Sequence, residues 1–452
     1  MALIKDARPH LGLRDFQLFA MIACVAVAVW ASLDASRASL LGQATMLVLS
    51  TALLLVVVWR RDRRAGGAGF LYFALLGLFH FGLLLAVGLY GQAALIGQGD
   101  NSWVNAVRTA DAVVLTTLGL ASAGVGSFFA DRLPRPRWGS GSSGDLLPLG
   151  PIGSVTAAVG AASMLSAVFS GGVNLLSAGY LDFLSSVEGN QSFSYGQLLF
   201  GVGLALMVAN RGRTRLTALI AMGVFAVIAL PIGLRGPVIF PAMVLLMIEA
   251  RFQRVRILPF AVGGLGVLTA ISLLRQTRLE GVGGILSGGW TRVHPVDGAA
   301  EMGYSLYPVV VVNEWMEGGS EPWYGATFVA PMLRFFEGLL GQSPPGLNDF
   351  RLFNVEVFAR VGPIGGSPIA EGHRNLAVLG VVMVMVVLAT ILARLDALPD
   401  TRLGATLAAV VFLPLITTVR NSFAPTLVQI LIGLAIVGLT ALLAAARRER
   451  RL

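Results

Sequence analysis

Long apolar runs recur along most of the chain and are separated by short polar or charged segments. A helix needs roughly 18 or more mostly apolar residues to cross the ~30 Å hydrocarbon layer of a membrane. Because WASLDASRASL offers no convincing cleavage site, we interpret the first run as a helix and not as a signal peptide. The pattern predicts about twelve transmembrane helices, near 15–33, 39–59, 69–91, 107–130, 152–171, 194–210, 216–233, 237–250, 257–274, 376–393, 404–419 and 424–446.

The composition supports this class of protein. Of the 452 residues, 56% are hydrophobic and 13% are charged, and the mean hydropathy is +0.77. Such values favour an all-α polytopic membrane protein over a soluble globular one. The single cysteine, Cys24, excludes an intramolecular disulfide and a cysteine-based metal site.

The basic residues predict the orientation of the helices, because cytoplasmic loops are enriched in Arg and Lys. With a cytoplasmic N-terminus, the clusters WRRDRR, DRLPRPR, RGRTR, RFQRVR and RRERR all follow even-numbered helices and fall inside. Both termini are therefore predicted to be cytoplasmic. The net charge of +9 is explained by this topology and by an anionic ligand, so we do not expect nucleic acid as a partner.

The spacing of the helices leaves one long connection. Residues 1–274 hold predicted helices 1–9, residues 275–375 form the connection, and residues 376–452 hold helices 10–12. The connection is rich in apolar and aromatic residues, and FVAPMLRFFEGLLG and FRLFNVEVFARVG have helical apolar spacing. We expect a partly helical cap on the extracytoplasmic side of the bundle.

Several arginines fall on this outer side, where the positive-inside rule does not explain them. Guanidinium groups bind phosphate oxygens in a bidentate manner, and a converging set would hold a diphosphate. Each also has an ordinary interpretation: a snorkelling side chain in a Pro/Gly turn, or a pair neutralised by a nearby glutamate. The candidates are Arg235, Arg275, Arg278, Arg360, Arg374 and Arg420.

Glu371 and His373 precede the tenth predicted helix in SPIAEGHRNLAVLG, with Asn375 or Ser367 as its possible N-cap. Glu371 could complement the N-terminus of that helix while His373 lies at the interface. Alternatively, one of the two is a general base beside an anion-binding arginine. We find no convincing DxD, HExxH, Walker A or dinucleotide-binding motif, so we expect no metal, nucleotide or other cofactor.

Two stretches resemble the Wzy-type O-antigen and oligosaccharide repeat-unit polymerases. That family carries a Gly-Arg-Gly-like turn, matched here by Gly233, Arg235 and Gly236 in IGLRGPVIF. It also has a Ser-x-x-(Ala/Gly)-Glu-x-x-x-Asn-x-x-x-x-Gly motif before a late helix, matched here by Ser367, Glu371, Asn375 and Gly380. Many members have an aromatic residue followed by Asn-Phe-Gly where this chain has HRNLAVLG, so the resemblance supports Glu371 as base more than His373.

The resemblance implies a membrane-embedded glycosyltransferase of the inner (plasma) membrane with its active site on the extracytoplasmic side. The implied donor is a glycan on undecaprenyl diphosphate, and the implied acceptor is a sugar hydroxyl of a lipid-linked repeat unit. The candidate arginines would hold the diphosphate without a metal. A flippase and a chain-length regulator are partners that only the resemblance implies.

Two other functions stay open at this level. An O-antigen-ligase-like transferase would use the same motifs and a different acceptor. A secondary transporter should show two related halves with interrupted helices and ionisable residues near the bilayer midplane. The sequence has no evident internal repeat, and its outer charges gather at one end of the predicted bundle.

Overall fold

The computed structural model describes residues 25–62, 64–91, 101–130, 132–133, 147–170, 183, 191–253, 255–274, 293–341 and 349–449. Within these ranges the secondary structure is helical and contains no strand. The helices are α1 (Val25–Asp34), α2 (Leu40–Asp62), α3 (Ala68–Tyr90), α4 (Ala106–Ala130), α5 (Leu149–Ser170), α6 (Gln191–Asn210), α7 (Gly212–Ala229), α8 (Arg235–Phe252), α9 (Ile257–Leu273), α10 (Pro295–Met302), α11 (Leu306–Glu317), α12 (Ala326–Leu339), α13 (Phe353–Val361), α14 (Pro368–Asp396), α15 (Arg402–Thr417) and α16 (Thr426–Glu449).

A helix lies at each of the twelve predicted apolar segments. Eight of these helices, α2–α7, α14 and α16, are long and apolar enough to cross a membrane. Helices α1, α9 and α15 are apolar but shorter, and α8 carries three charged residues. The chain is therefore an all-α multi-pass membrane protein. The count of twelve crossings and the cytoplasmic placement of both termini remain predictions.

Small residues allow the helices of the bundle to pack with their backbones close together. A Cβ added at Gly203 of α6 would lie 2.3 Å from the backbone nitrogen of Ala157 in α5, and one at Gly153 would lie 2.8 Å from the carbonyl oxygen of Gly203. Lipid is as apolar as the helix surfaces, so association within a membrane depends on such close van der Waals packing.

At one end of the bundle, charged side chains join the ends of neighbouring helices. Asp396, at the end of α14, accepts hydrogen bonds from the backbone nitrogens of Ala68 (2.6 Å) and Gly69 (3.0 Å) at the start of α3. Arg64 binds both carboxylate oxygens of Asp400, and Arg251 of α8 donates to the Leu398 carbonyl oxygen at 3.0 Å. The basic segments that were predicted to be cytoplasmic after helices 2 and 8 thus lie at the same end as the segment after helix 10.

The opposite end carries the short helices α10–α13. A stacked pair of rings, Trp103 before α4 and Tyr307 in α11, has centroids 4.7 Å apart, and Arg108 of α4 pairs with Glu314 of α11 at 2.8 Å. Both apolar stretches that were predicted to be helical in the connection are helices, α12 and α13. Helix α14 begins at Pro368, well before the predicted segment 376–393, so the SPIAEGHRN motif is helical.

Candidate active site

Helix α14 is broken in the middle of the SPIAEGHRNLAVLG motif. Leu376 (φ −138°, ψ 29°) and Ala377 (φ 51°, ψ −143°) leave the helical conformation, and a positive φ is rare for alanine. The first segment, 368–375, folds back against the start of the second. A Cβ at Gly380 would lie 1.9 Å from the carbonyl oxygen of Gly372, which explains why glycine stands at both positions.

The N-terminus of this short segment is fixed by Ser367. Its hydroxyl oxygen accepts a hydrogen bond from the backbone nitrogen of Ile369 (3.3 Å) and lies 3.0 Å from Nε2 of the buried His80. Nδ1 of His80 lies 2.7 Å from the carbonyl oxygen of Leu76 and so carries a proton. In the neutral tautomer, Nε2 of His80 therefore accepts a hydrogen bond from Ser367.

The carboxylate of Glu371 connects three parts of the chain. Its side chain is buried; Oε1 accepts a hydrogen bond from the hydroxyl of Thr327 in α12 (2.9 Å), and Oε2 accepts one from the backbone nitrogen of Phe423 between α15 and α16 (2.7 Å). Both oxygens of this buried carboxyl group have donors, as buried polar groups require.

Asn375 completes this network. Its side-chain nitrogen donates to the Thr327 hydroxyl and to the Glu371 carbonyl oxygen, both at 2.7 Å, and its side-chain oxygen accepts from the Thr327 backbone nitrogen at 3.3 Å. The backbone nitrogen of Tyr324 donates to the carbonyl oxygen of Asn375 at 2.8 Å. The end of the short segment, whose carbonyls lack helical partners, is therefore capped by the loop before α12.

His373 differs from its neighbours because its ring makes no well-formed hydrogen bond. The side chain is buried; the backbone of Ala377 lies near the ring, but neither Nδ1 nor Nε2 reaches hydrogen-bond geometry with a partner. A buried polar atom without a partner is costly, by about 1–3 kcal/mol. A catalytic role is one of the explanations for such a group in a native structure.

Arg374, in contrast, is fully engaged within the protein. Its Nε and Nη2 each lie 2.9 Å from an oxygen of the buried Glu356 carboxylate in α13. Its Nη1 donates to the carbonyl oxygen of Glu321 (2.5 Å), and its guanidinium lies over the ring of Trp323 at 4.8 Å. Arg360 also contacts Glu356, at 3.0 Å, with a more exposed side chain. Both arginines thus bind a glutamate in this structure.

Arg235 is buried at the first position of α8, after a turn in which Gly233 adopts a positive φ of 89°. Its Nη1 donates to the carboxylate of Glu301 in α10, and the two side chains are only 5% and 2% exposed. The remaining nitrogens, Nε and Nη2, are buried without hydrogen-bond partners. Two of the three guanidinium nitrogens of Arg235 therefore have no acceptor.

One turn of α3, residues 79–82, contacts both the start of α14 and the elements that hold Arg235 and Glu301. His80 bonds Ser367 at the start of the SPIAEGHRN segment, and a Cβ at Gly82 would meet the carbonyl oxygen of Ala299, near Glu301 in α10, at 2.1 Å. Phe79 stacks on Phe240 of α8 with centroids 6.4 Å apart. The structure therefore gathers the Arg235 turn, α10 and the start of α14 around residues 79–82.

Of the three remaining candidate arginines, one lies within the described residues. Arg420 is half-buried after α15, and its carbonyl oxygen accepts from the backbone nitrogen of Gly366 at 2.7 Å, which brings it beside the start of α14. Arg275 and Arg278 lie outside the described residues. The roles proposed for all six arginines, Glu371 and His373 remain predictions.

Three groups at this site were not identified from the sequence. They are Glu301, Thr327 and the backbone nitrogen of Phe423, which contact Arg235 or Glu371 across 66, 44 and 52 residues of chain. The sequence offered a weak signal only for Glu301, as an acidic residue in a short apolar stretch. Thr327 and the Phe423 nitrogen have no chemical signature of their own.

The chain is similar in sequence to known proteins over part of its length. Over 213 residues the chain is 25% identical to Protein CapE of Staphylococcus aureus, and this match covers 46% of each chain; it spans less than half of that relative's length. No solved structure matches. The sequence model of O-antigen polysaccharide polymerase Wzy matches residues 173–448, more than half of the chain, and includes the Arg235 turn and the whole of α14. The chain therefore belongs to the O-antigen polysaccharide polymerase Wzy family.

Proposed function

We propose that this chain polymerises lipid-linked oligosaccharide repeat units at the extracytoplasmic face of the plasma membrane. The donor is a glycan on undecaprenyl diphosphate, and the acceptor is a terminal sugar hydroxyl of another lipid-linked unit. The observation that carries this proposal is Arg235, a buried guanidinium with two nitrogens free of acceptors in a chain of the Wzy family.

Arg235 is proposed to bind the diphosphate through Nε and Nη2. A guanidinium can bind two phosphate oxygens at once, and a charge-assisted hydrogen bond in a water-poor site is stronger than one in water. Glu301 holds the guanidinium in place by its Nη1. Because Glu301 pairs with Arg235, binding the negatively charged diphosphate would require further cations, for which Arg420, Arg275 and Arg278 are the candidates.

His373 is proposed as the general base, with Glu371 as the residue that orders the segment around it. Both oxygens of Glu371 already accept hydrogen bonds, whereas neither ring nitrogen of His373 has a partner. A neutral imidazole is a suitable base near neutral pH. Glu371 is the alternative base, and it would have to exchange one of its two donors for the acceptor hydroxyl.

The proposed step is a displacement at the anomeric carbon of the donor. The acceptor oxygen forms the new bond to that carbon while its proton moves to the base. The bond between the anomeric carbon and the diphosphate oxygen breaks, and its electron pair leaves with the lipid diphosphate. Preorganised cations at the leaving group stabilise the developing charge, commonly by a few kcal/mol for each donor, so the proposal needs no metal.

The surrounding architecture is part of the same proposal. Twelve membrane crossings with both termini in the cytoplasm would put residues 275–375 outside, as a cap above the Arg235 turn. A flippase would supply the lipid-linked units on that side, and a chain-length regulator would set the product length. The arrangement is supported by the basic end of the bundle around Arg64 and Arg251, which the positive-inside rule assigns to the cytoplasm.

The test uses purified protein and a lipid-diphosphate-linked repeat unit, with chelator present and nucleotide sugar absent. Products resolved by length should form a ladder that is lost in Arg235→Gln and falls by about 10²–10⁴-fold in rate in His373→Gln. Arg108→Gln is the matched control, because Arg108 pairs with Glu314 of α11 at the surface, at 2.8 Å, and has no proposed role at the site, so this variant should keep the ladder.

Other outcomes separate the remaining functions. A folded wild type that makes no ladder from an authentic substrate would contradict the polymerase. If that protein instead transfers a finished glycan to another acceptor, the ligase-like alternative is correct. If Glu371→Gln abolishes the ladder and His373→Gln does not, Glu371 is the base.

A further inference from the structure

Helix α12 is amphipathic, and its apolar side is exposed. The exposed apolar residues are Val329, Met332, Leu333 and Phe336 of α12 and Leu340 directly after its end. They recur at helical spacing, and their exposed fractions run from 46% at Met332 and Leu333 to 75% at Leu340. At about 100° per residue these five positions fall within an arc of about 100°. A soluble surface would not present so continuous an apolar strip without something to cover it.

The other side of α12 faces the protein. Thr327 and Ala330 are buried, and Thr327 bonds Glu371 and Asn375. Nearer the C-terminus, Glu337 accepts two hydrogen bonds from Arg351, at 2.9 and 3.1 Å. The helix is thus attached by polar contacts on one side, and its apolar residues point away from them.

Helix α12 begins at the level where a membrane-spanning helix begins. The rings of Phe328 and Phe423 are in edge-to-face contact with centroids 6.0 Å apart, and α16 starts at Thr426, three residues after Phe423. Helix α16 presents exposed apolar residues such as Leu431, which in a multi-pass membrane protein face lipid. The apolar strip of α12 therefore starts beside the lipid-facing surface of α16.

We propose that α12 is an interfacial helix that lies in the leaflet on the side of the candidate site, with its apolar strip in the hydrocarbon boundary. The occupant of the strip is the bilayer, because the strip starts beside a lipid-facing helix and its apolar side chains match that boundary in chemistry. Because Thr327 of α12 bonds Glu371, the position of α12 in the leaflet then sets the depth of the candidate site relative to the lipid head groups. Only this second role rests on the proposed function.

The position of α12 can be measured with spin labels on the full chain in vesicles of phosphatidylethanolamine and phosphatidylglycerol. In a Cys24→Ser background, single labels are placed by Leu333→Cys and Leu340→Cys. Leu431→Cys in α16 is the lipid reference, and Glu317→Cys, exposed at the end of α11, is the aqueous reference. The readout is relaxation by oxygen, which partitions into lipid, relative to relaxation by a water-soluble nickel chelate.

The oxygen-to-nickel ratio at Leu333 and Leu340 should exceed that at Glu317 several-fold and approach that at Leu431. A ratio at both positions no higher than at Glu317 would overturn the proposal. The measurement does not depend on activity, so it stands if the polymerase assignment fails. For the second role, Leu333→Glu should lower the rate of polymer formation, whereas Leu333→Phe should not. Equal rates in these two variants would overturn the second role but not the interfacial position of α12.

Discussion

Glu301 holds the guanidinium of Arg235 inside the protein, where neither side chain is more than 5% exposed. Removing one member of a buried ion pair leaves an uncompensated charge and costs about 3–5 kcal/mol, whereas replacing both by apolar groups of similar size is often neutral. Arg235→Met and Glu301→Leu should therefore each destabilise the protein strongly, and the double variant should be more stable than either.

This double-mutant cycle is measured as the free energy of unfolding in mixed micelles, alongside polymer formation. The double variant separates folding from activity, since it should be folded and inactive. Simple addition of the two single-variant losses would contradict the pairing.

Thr327 links α12 to the Glu371 network through one hydroxyl. Thr327→Val keeps the shape but removes the donor to Glu371 and the acceptor of Asn375, so buried polar atoms lose their partners at a cost of about 1–3 kcal/mol. We expect lower stability and slower polymer formation. Thr327→Ser, which retains the hydroxyl, should restore most of both. Equal effects of Val and Ser would mean that the methyl group matters and the hydrogen bonds do not.

Glu356 is the common partner of a buried and an exposed arginine. Arg374→Gln leaves the buried Glu356 carboxylate without its two main donors and should cost several kcal/mol, on the order of 3–5. Arg360→Gln removes an exposed partner of the same carboxylate and should cost about 0–1 kcal/mol. Unfolding of the two variants, measured side by side, tests whether burial sets the difference; similar losses would contradict it.

Gly380 is where the two segments of α14 meet. Because an added methyl group would lie 1.9 Å from the Gly372 carbonyl oxygen, Gly380→Ala should separate the short segment from the membrane helix and abolish polymer formation. Gly266→Ala in α9, where nothing lies within 4 Å, is the matched control and should change stability by less than about 1 kcal/mol. Wild-type activity in Gly380→Ala would contradict the close approach.

Arg351 makes the attachment of α12 dependent on pH. Its hydrogen bonds lower the pKa of the Asp349 and Glu337 carboxyls below their ordinary values near 4. A lowered folded-state pKa contributes stability that is present above the unfolded value and is lost as pH falls through the folded value. Hydrogen exchange of α12, corrected for intrinsic rates, should therefore accelerate below about pH 4. Arg351→Gln should weaken this dependence, and an unchanged profile would contradict it.

The local features of this chain were largely predictable. A helix lies at every apolar run for which a helix was predicted. Burial in lipid or in the bundle stabilises a long apolar helix regardless of which helices pack beside it. The Arg235 turn and the Glu371 segment were also singled out as candidates from the sequence, and their roles stay predictions. The early start of α14 lay outside the predicted apolar segment, because Pro368 at a helix N-terminus and the break at Ala377 leave no apolar periodicity; Ser367 was one of two possible caps, and the structure shows that it caps the helix.

The partners of these residues could not be predicted. That Arg374 binds Glu356, and that Arg235 binds Glu301 with two nitrogens left over, depends on which helices meet. A sequence states the chemistry of each side chain but not which distant segments the packing brings within 3 Å. The sequence by itself determined the membrane class, the helices and the candidate residues; the tertiary structure alone decided which candidates are neutralised internally, because hydrogen bonds between residues 44 to 66 positions apart form only when the bundle packs.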